Sequence, residues 1–179
     1  EYGERTGVIF TADHGEQFRE HGQLGHTASL FEEEVHVPGW VDAPEGLLSA
    51  EEKANLEARR EHPTFHTDVT PTILDLMGLW DAPEIADYRR EMPGESWLRR
   101  PGELRPLLFT NCSGVWGCAF QNWGVVKGTR KLIAREWDAD WLCFDVATDP
   151  FEKNDLGAEA CADLRTIAET SFGGMPGAK

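Results

Sequence analysis

The 179-residue sequence has no C-x-x-C pair and little positive charge, and none of its apolar runs approaches the ~20 residues needed to cross a bilayer. Its four cysteines, Cys112, Cys118, Cys143 and Cys161, are spaced too irregularly for a zinc cluster. Cys143 and Cys161 fall on apolar faces and read as core packing, whereas Cys112 and Cys118 would pair only in an oxidising compartment. Lysine and arginine total 17 against 32 aspartates and glutamates, a formal net charge of −15. That balance argues against nucleic acid and anionic membranes as partners, because phosphate backbones and acidic lipids recruit basic patches. No charged-then-apolar leader is visible, and the first residue is Glu1. With a strand pattern beginning almost at once, the chain reads as a stretch of something longer.

What is present is a foldable composition. Apolar residues make up 40%, and seven tryptophans are among them, so disorder is excluded and a real core is expected. Val8, Ile9 and Phe10 form a continuous apolar run, the pattern of a central strand covered on both faces. A short helix is expected over 28–35 and a second strand over 35–44, closed by Pro44. Ser49 and Glu52 stand in capping-box register before a helix whose only large apolar residue is Leu56, which predicts a solvated surface element. In the next helix, "HTDVTPTILDLMGL", the residues Val69, Ile73, Leu76 and Met77 share one face, with Pro71 in the first turn and Gly78 as the stop. Residues 89–105 are rich in Pro, Gly and Arg and predict an irregular connection. Beyond them the period changes to two. "PLLFTNC", "FQNWGVVKG", "RKLIAREW" and "WLCFDVATD" are four strand candidates, with "KGTR" a hairpin turn. A closing helix carries Cys161, Leu164, Ala168 and Phe172 on one stripe.

The chemistry is concentrated in "TADHGEQFREHGQLGH", residues 11–26, directly after the first strand. Asp13 and His14 offer an oxygen and a nitrogen at the end of that strand, where α/β folds place their sites. Gly15 lets the chain turn away from them. His21 and His26 follow, each beside a glycine, at a spacing only a folded loop brings back to His14. One such histidine is usually a surface residue. This density of ligand-capable groups points instead to a metal or anion site.

"TADHGEQFREHGQLGH", then "SLFEEEVHVP", then "HTDVTPTILDLMG" resemble the C-terminal third of sulfatases of the alkaline-phosphatase superfamily. "WGVVKGTRKLIAREWDADWLCFDVATDPFEKNDL" resembles the closing segment of the same family, so the likeness runs over most of residues 6–157. The resemblance implies an α/β fold: the C-terminal part of an alkaline-phosphatase-like α/β/α sandwich, then a small antiparallel four-stranded sheet with a closing helix. It divides the chain into the end of the catalytic α/β domain (1–88, with a metal-ligand loop at 11–27), the connection 89–105, and the small sheet and helix (106–179).

It further implies a metal-dependent sulfuric ester hydrolase, with Asp13 and His14 as metal ligands and His26 contacting the sulfate or the leaving oxygen. His21 is a second catalytic candidate in the same loop. Lys127 and Arg130 lie near the site in relatives, but structure or charge is the expected role here. One divalent ion is implied, calcium by family default, with Mn²⁺ or Zn²⁺ favoured by the nitrogen of His14. The substrate class is an anionic small-molecule or sugar sulfate ester. Trp116, Trp123, Trp137 and Trp141 are possible sugar-stacking faces, with core packing the expected use of most of them.

The family's nucleophile, a formylglycine in a C/S-x-P-x-R context, has no match here, nor do its first two acidic ligands. The resemblance therefore implies a fragment that needs upstream polypeptide and is inactive alone. Two alternatives stay open. One is a phosphonate or phosphodiester hydrolase, or a phosphoethanolamine or phosphoglycerol transferase, of the same superfamily; the other is a non-catalytic metal-binding remnant.

Overall fold

In the computed structural model, residues 3–26, 28–111 and 120–177 are described. Cys112, Cys118 and Trp116 lie outside them. Along the chain run β1 (Val8–Thr11), β2 (Gln17–Phe18), β3 (Leu24–Gly25), α1 (Glu32–Val35), β4 (Gly39–Asp42), α2 (Ala50–Ala58), α3 (Val69–Leu76) and α4 (Ala86–Glu91). They are followed by β5 (Leu107–Thr110), β6 (Asn122–Lys127), β7 (Arg130–Arg135), β8 (Leu142–Asp145) and α5 (Ala162–Phe172). No helix among the described residues is long and apolar enough to cross a membrane. The chain divides into two compact units, one of Glu1–Phe10 with Gly39–Glu103, the other of Thr11–Pro38 with Leu104–Lys179.

In the first unit β1 pairs with β4, and Phe10 stacks on Trp40 at 4.9 Å. The apolar run of β1 is not enclosed as expected: Val8 and Phe10 are 40% and 43% exposed, because β4 is its single strand neighbour among the described residues. α2 starts at the predicted capping box, with Ser49 accepting from the Glu52 amide and Glu52 from the Ser49 amide, and buries none of its residues. α3 forms where its sequence pattern places it, with Pro71 in the first turn. Its stripe of Ile73 and Met77 is exposed, whereas Asp68, Pro71 and Thr72 are buried.

The reason is a polar attachment. The Glu95 amide donates to Asp68 Oδ1 (2.8 Å), the Phe65 amide to Asp68 Oδ2 (2.9 Å) and the Trp97 amide to Thr72 Oγ1 (2.9 Å). Arg59, buried at the end of α2, donates to the Ser96 carbonyl at 3.0 Å. Three of these bonds engage backbone groups of residues 95–97, in a stretch with no regular structure of its own. Gly94 allows the approach, since a Cβ there would lie 1.9 Å from the Thr67 carbonyl oxygen.

The second unit contains the four-stranded sheet, in the order β5-β6-β7-β8 and antiparallel throughout. Lys127 pairs with Arg130 across the predicted turn, where Gly128 takes φ 62°. β7 is buried on both faces, and its alternation separates two cores. Leu132 and Ala134 join Val125, Trp141, Cys143 and the α5 residues Leu164 and Ala168 on one side. Ile133 meets Phe144, Leu30 and Phe31 on the other. Trp123 stacks on Phe172 at 4.9 Å, so two of the four tryptophans, Trp123 and Trp141, serve packing.

Cys143 and Cys161 do lie in that core, fully buried, but they are joined by a disulfide. Reading them as two packing thiols is therefore corrected. β8 places Cys143 on the α5 face, and the turn into α5 brings the Cys161 Cα to 5.9 Å, a separation a disulfide spans.

Candidate functional site

The loop that follows β1 is folded onto α1. The Gly15 amide donates to the Glu34 carbonyl (2.8 Å), and a Cβ on Gly15 would stand 2.0 Å from the Glu33 carbonyl oxygen, so only glycine fits. Gln17, fully buried in β2, donates through Nε2 to Ser29 Oγ (2.5 Å) and Glu34 Oε1 (2.6 Å), and Ser29 donates to the same carboxylate oxygen (2.6 Å). β2 and β3 then pair as a miniature hairpin, Gln17 opposite Gly25 and Phe18 opposite Leu24. This hairpin returns His26 to His14.

The two imidazoles stack with centroids 4.0 Å apart, and His26 Nδ1 lies 3.0 Å from Glu16 Oε2. His14, Glu16 and His26 each offer a ligand atom, and these atoms lie within 4.8 Å of one another. His14 Nδ1 lies 2.7 Å from the Gly15 carbonyl. A carbonyl only accepts, so Nδ1 carries the proton and Nε2 holds the lone pair in the neutral ring. Nε2 faces the Asp13 carboxylate at 3.8 Å, and the Asp13 side chain is open to solvent. The bond to the Gly15 carbonyl, with added attraction from Asp13, Glu16 and Glu34, raises the His14 pKa above the ordinary imidazole value.

His21 is placed differently. Its ring lies flat on Phe31, with centroids 3.7 Å apart and planes at 5°. Nδ1 is 3.2 Å from Glu33 Oε1, Nε2 is 3.3 Å from the Glu152 carbonyl, and the side chain is 14% exposed. The structure thus gathers His14, Glu16 and His26, sets Asp13 beside His14, and turns His21 inward to α1.

Sequence reasoning had passed over Glu16 and Lys131. Glu16 carries a usable signal, an acid three residues from Asp13 in the same loop. Lys131 has a weaker one, a second cation directly after Arg130 in the strand pattern "RKLIA". It is 1% exposed, and its Nζ lies 2.7 Å from Glu32 Oε1 and 3.0 Å from Glu152 Oε1. Arg130 pairs instead with Asp163, through two bonds of 2.8 and 2.7 Å.

The fold has solved counterparts. A protein solved in complex with its substrate, D-glucosamine-2-N,6-O-disulfate, superposes with a TM-score of 0.57 over 95% of this chain and 34% of its own, at 21% identity. The likeness defines an alkaline-phosphatase-like α/β fold followed by a small antiparallel sheet and helix. Residues 1–79, which include the whole loop, match the model of the sulfatase family. Over 87% of its length the chain is 30% identical to the uncharacterized sulfatase YidJ of Escherichia coli K12, of which it covers 29%. Over the same share it is 28% identical to arylsulfatase K of Bos taurus, of which it covers 28%. The chain thus spans under a third of these relatives' length.

Proposed function

We propose that this chain supplies the cation- and anion-binding part of a metal-dependent sulfate-ester hydrolase. The observation that carries this reading is the convergence of His14, Glu16 and His26, beside Asp13, in a loop that lies within the sulfatase match. Asp13 and His14 are the residues that hold the divalent ion. The donor set fits one, because His14 Nδ1 is engaged by the Gly15 carbonyl and Nε2 remains to coordinate. A nitrogen beside carboxylate oxygens suits Mn²⁺ or Zn²⁺, with Ca²⁺ the family alternative. When bound, the cation supplies positive charge where the ester oxygens become negative.

His26 then donates a hydrogen bond, or a proton, to the sulfate or to the departing oxygen, and Glu16 holds the ring in place through Nδ1. His21 supports the loop by packing rather than reaching substrate. A sulfate ester of a sugar or aryl alcohol fits this arrangement, since its anionic end would meet the bound cation and His26 in an otherwise acidic chain. The nucleophile, expected as formylglycine in a C/S-x-P-x-R context, belongs to a preceding stretch of polypeptide.

The test is an assay of the polypeptide that includes the preceding coding sequence, against aryl and sugar sulfates, before and after chelation. Turnover that is lost on chelation and restored by Mn²⁺, Zn²⁺ or Ca²⁺ is expected. The 179 residues alone are expected to be inactive. Turnover of phosphate diesters without sulfate esters, or a preceding sequence with no such nucleophile context, overturns the reading.

A further inference from the structure

Lys131 is a buried cation that the proposed chemistry does not use, and its surroundings connect it to the α1 anchors of the loop. Its Nζ bridges Glu32 and Glu152 at 2.7 and 3.0 Å, and stands 5.9 Å from the centroid of the Phe109 ring. Glu152, 3% exposed, accepts the Glu32 amide through Oε2 at 2.6 Å and so ties down the first residue of α1. It does this from a left-handed backbone, φ 47°, a conformation a glutamate holds only when its surroundings impose it. The carbonyl of the same residue faces His21 Nε2 at 3.3 Å. α1 has four residues, too few to be stable by itself. Yet the Glu33 carbonyl excludes a side chain at Gly15, the Glu34 carbonyl accepts the Gly15 amide, the Glu34 carboxylate holds Gln17, and Phe31 carries His21. The loop is thus built on a one-turn platform, which packs through Phe31 on Ile133 and Phe144 and is tied to β7 by a buried ammonium and two carboxylates.

We propose that Lys131, through Glu32 and Glu152, is the positioning residue of the histidine loop, setting the place of α1 and thereby the ring geometry of His14 and His26. Burying an ammonium is favourable only when it is fully paired, and a hydrophobic residue at this position would serve the core as well or better. Its presence on the β7 face that also carries Ile133 and Arg135 is accounted for by the specificity of the attachment, a role known for buried polar groups in other folds. The inference uses the site reading above for what the loop does, but the geometry it concerns is tested separately.

The experiment is side-chain ¹H–¹⁵N NMR of the histidine rings in the full chain, with and without Mn²⁺ as a paramagnetic probe. It compares the unaltered chain with Lys131→Met, Lys131→Arg and the core control Leu164→Ala. In Lys131→Met, the ring resonances of His14, His21 and His26 are expected to shift or broaden, and Mn²⁺ affinity to fall at least tenfold. Lys131→Arg restores both in part. Leu164→Ala, in the opposite core, is expected to lower the melting temperature as much while leaving rings and affinity alone. If Lys131→Met fails to fold, Glu152→Gln, which keeps an acceptor for the Glu32 amide, takes its place with the same expectation. Unchanged ring resonances in a folded Lys131 or Glu152 variant overturn the proposal, as does an equal effect of Leu164→Ala. Loss of ring geometry in a chain that never binds Mn²⁺ upholds the positioning role and defeats the metal reading instead.

Discussion

Gly15 and Glu32 show how single residues control the loop. A methyl group on Gly15 would meet the Glu33 carbonyl oxygen at 2.0 Å, backbone against backbone, with no flexible atom to yield. Gly15→Ala is expected to destabilise the second unit by at least about 2 kcal/mol and to displace His14 from His26. Thermal unfolding and the His14 ring resonances check this; an unchanged melting temperature would count against the close approach. Glu32 is partly buried, which opposes its ionisation, but hydrogen bonds and charge from His36 and Lys131 outweigh burial and hold its carboxyl down to about 2 against an ordinary 4.5. A carboxyl depressed in the fold stabilises above its unfolded pKa and loses that contribution as pH falls through the folded value. Stability is therefore expected to decline as pH drops from about 4.5 toward about 2. Urea midpoints across that range should fall more steeply for the unaltered chain than for Glu32→Gln, and parallel curves would remove Glu32 from the account. Glu152 acts with the opposite sign, since burial raises its carboxyl above the usual range despite Lys131.

α2 and α3 illustrate two ways of fixing an element. α2 buries nothing and depends on its cap, so Ser49→Ala is expected to cost about 1 kcal/mol and to speed amide exchange in its first turn only. α3 depends on buried acceptors. Asp68→Ala leaves the Phe65 and Glu95 amides without the carboxylate they share and should cost about 3 kcal/mol, the sum of two stranded donors. Asp68→Asn, which keeps one acceptor oxygen, should recover part of that in a melting experiment. A helical wheel cannot anticipate this face, because it ranks residues by apolarity and the contact surface of α3 is a set of hydrogen bonds.

For the molecule as a whole, the four-stranded sheet, closed by α5 and the Cys143–Cys161 disulfide, forms the main apolar core. The bridge closes a loop with a sequence separation of 18, which corresponds to roughly 3 kcal/mol of restriction on the unfolded chain. Cys161→Ser is expected to lower the melting temperature while leaving the rings of His14 and His26 in place, because the disulfide lies on the sheet face opposite α1. A loss of ring geometry in that variant would mean that the two cores are coupled through β7.

Much of this was legible from the residues. Strand periodicity, the Ser49 cap, the Gly128 turn and the α5 stripe are local patterns that the backbone obeys regardless of context, and they appear where expected. The histidine-rich loop was legible too, since its density of donors is a property of sequence. Which donors meet was decided by the tertiary fold: His26 reaches His14 because β2 pairs with β3, and His21 turns away because Phe31 gives it a flat apolar partner. The polar face of α3, the pairing of Cys143 with Cys161 and the burial of Lys131 have the same origin. Each depends on what a distant segment brings into contact, and spacing along a chain carries no record of that.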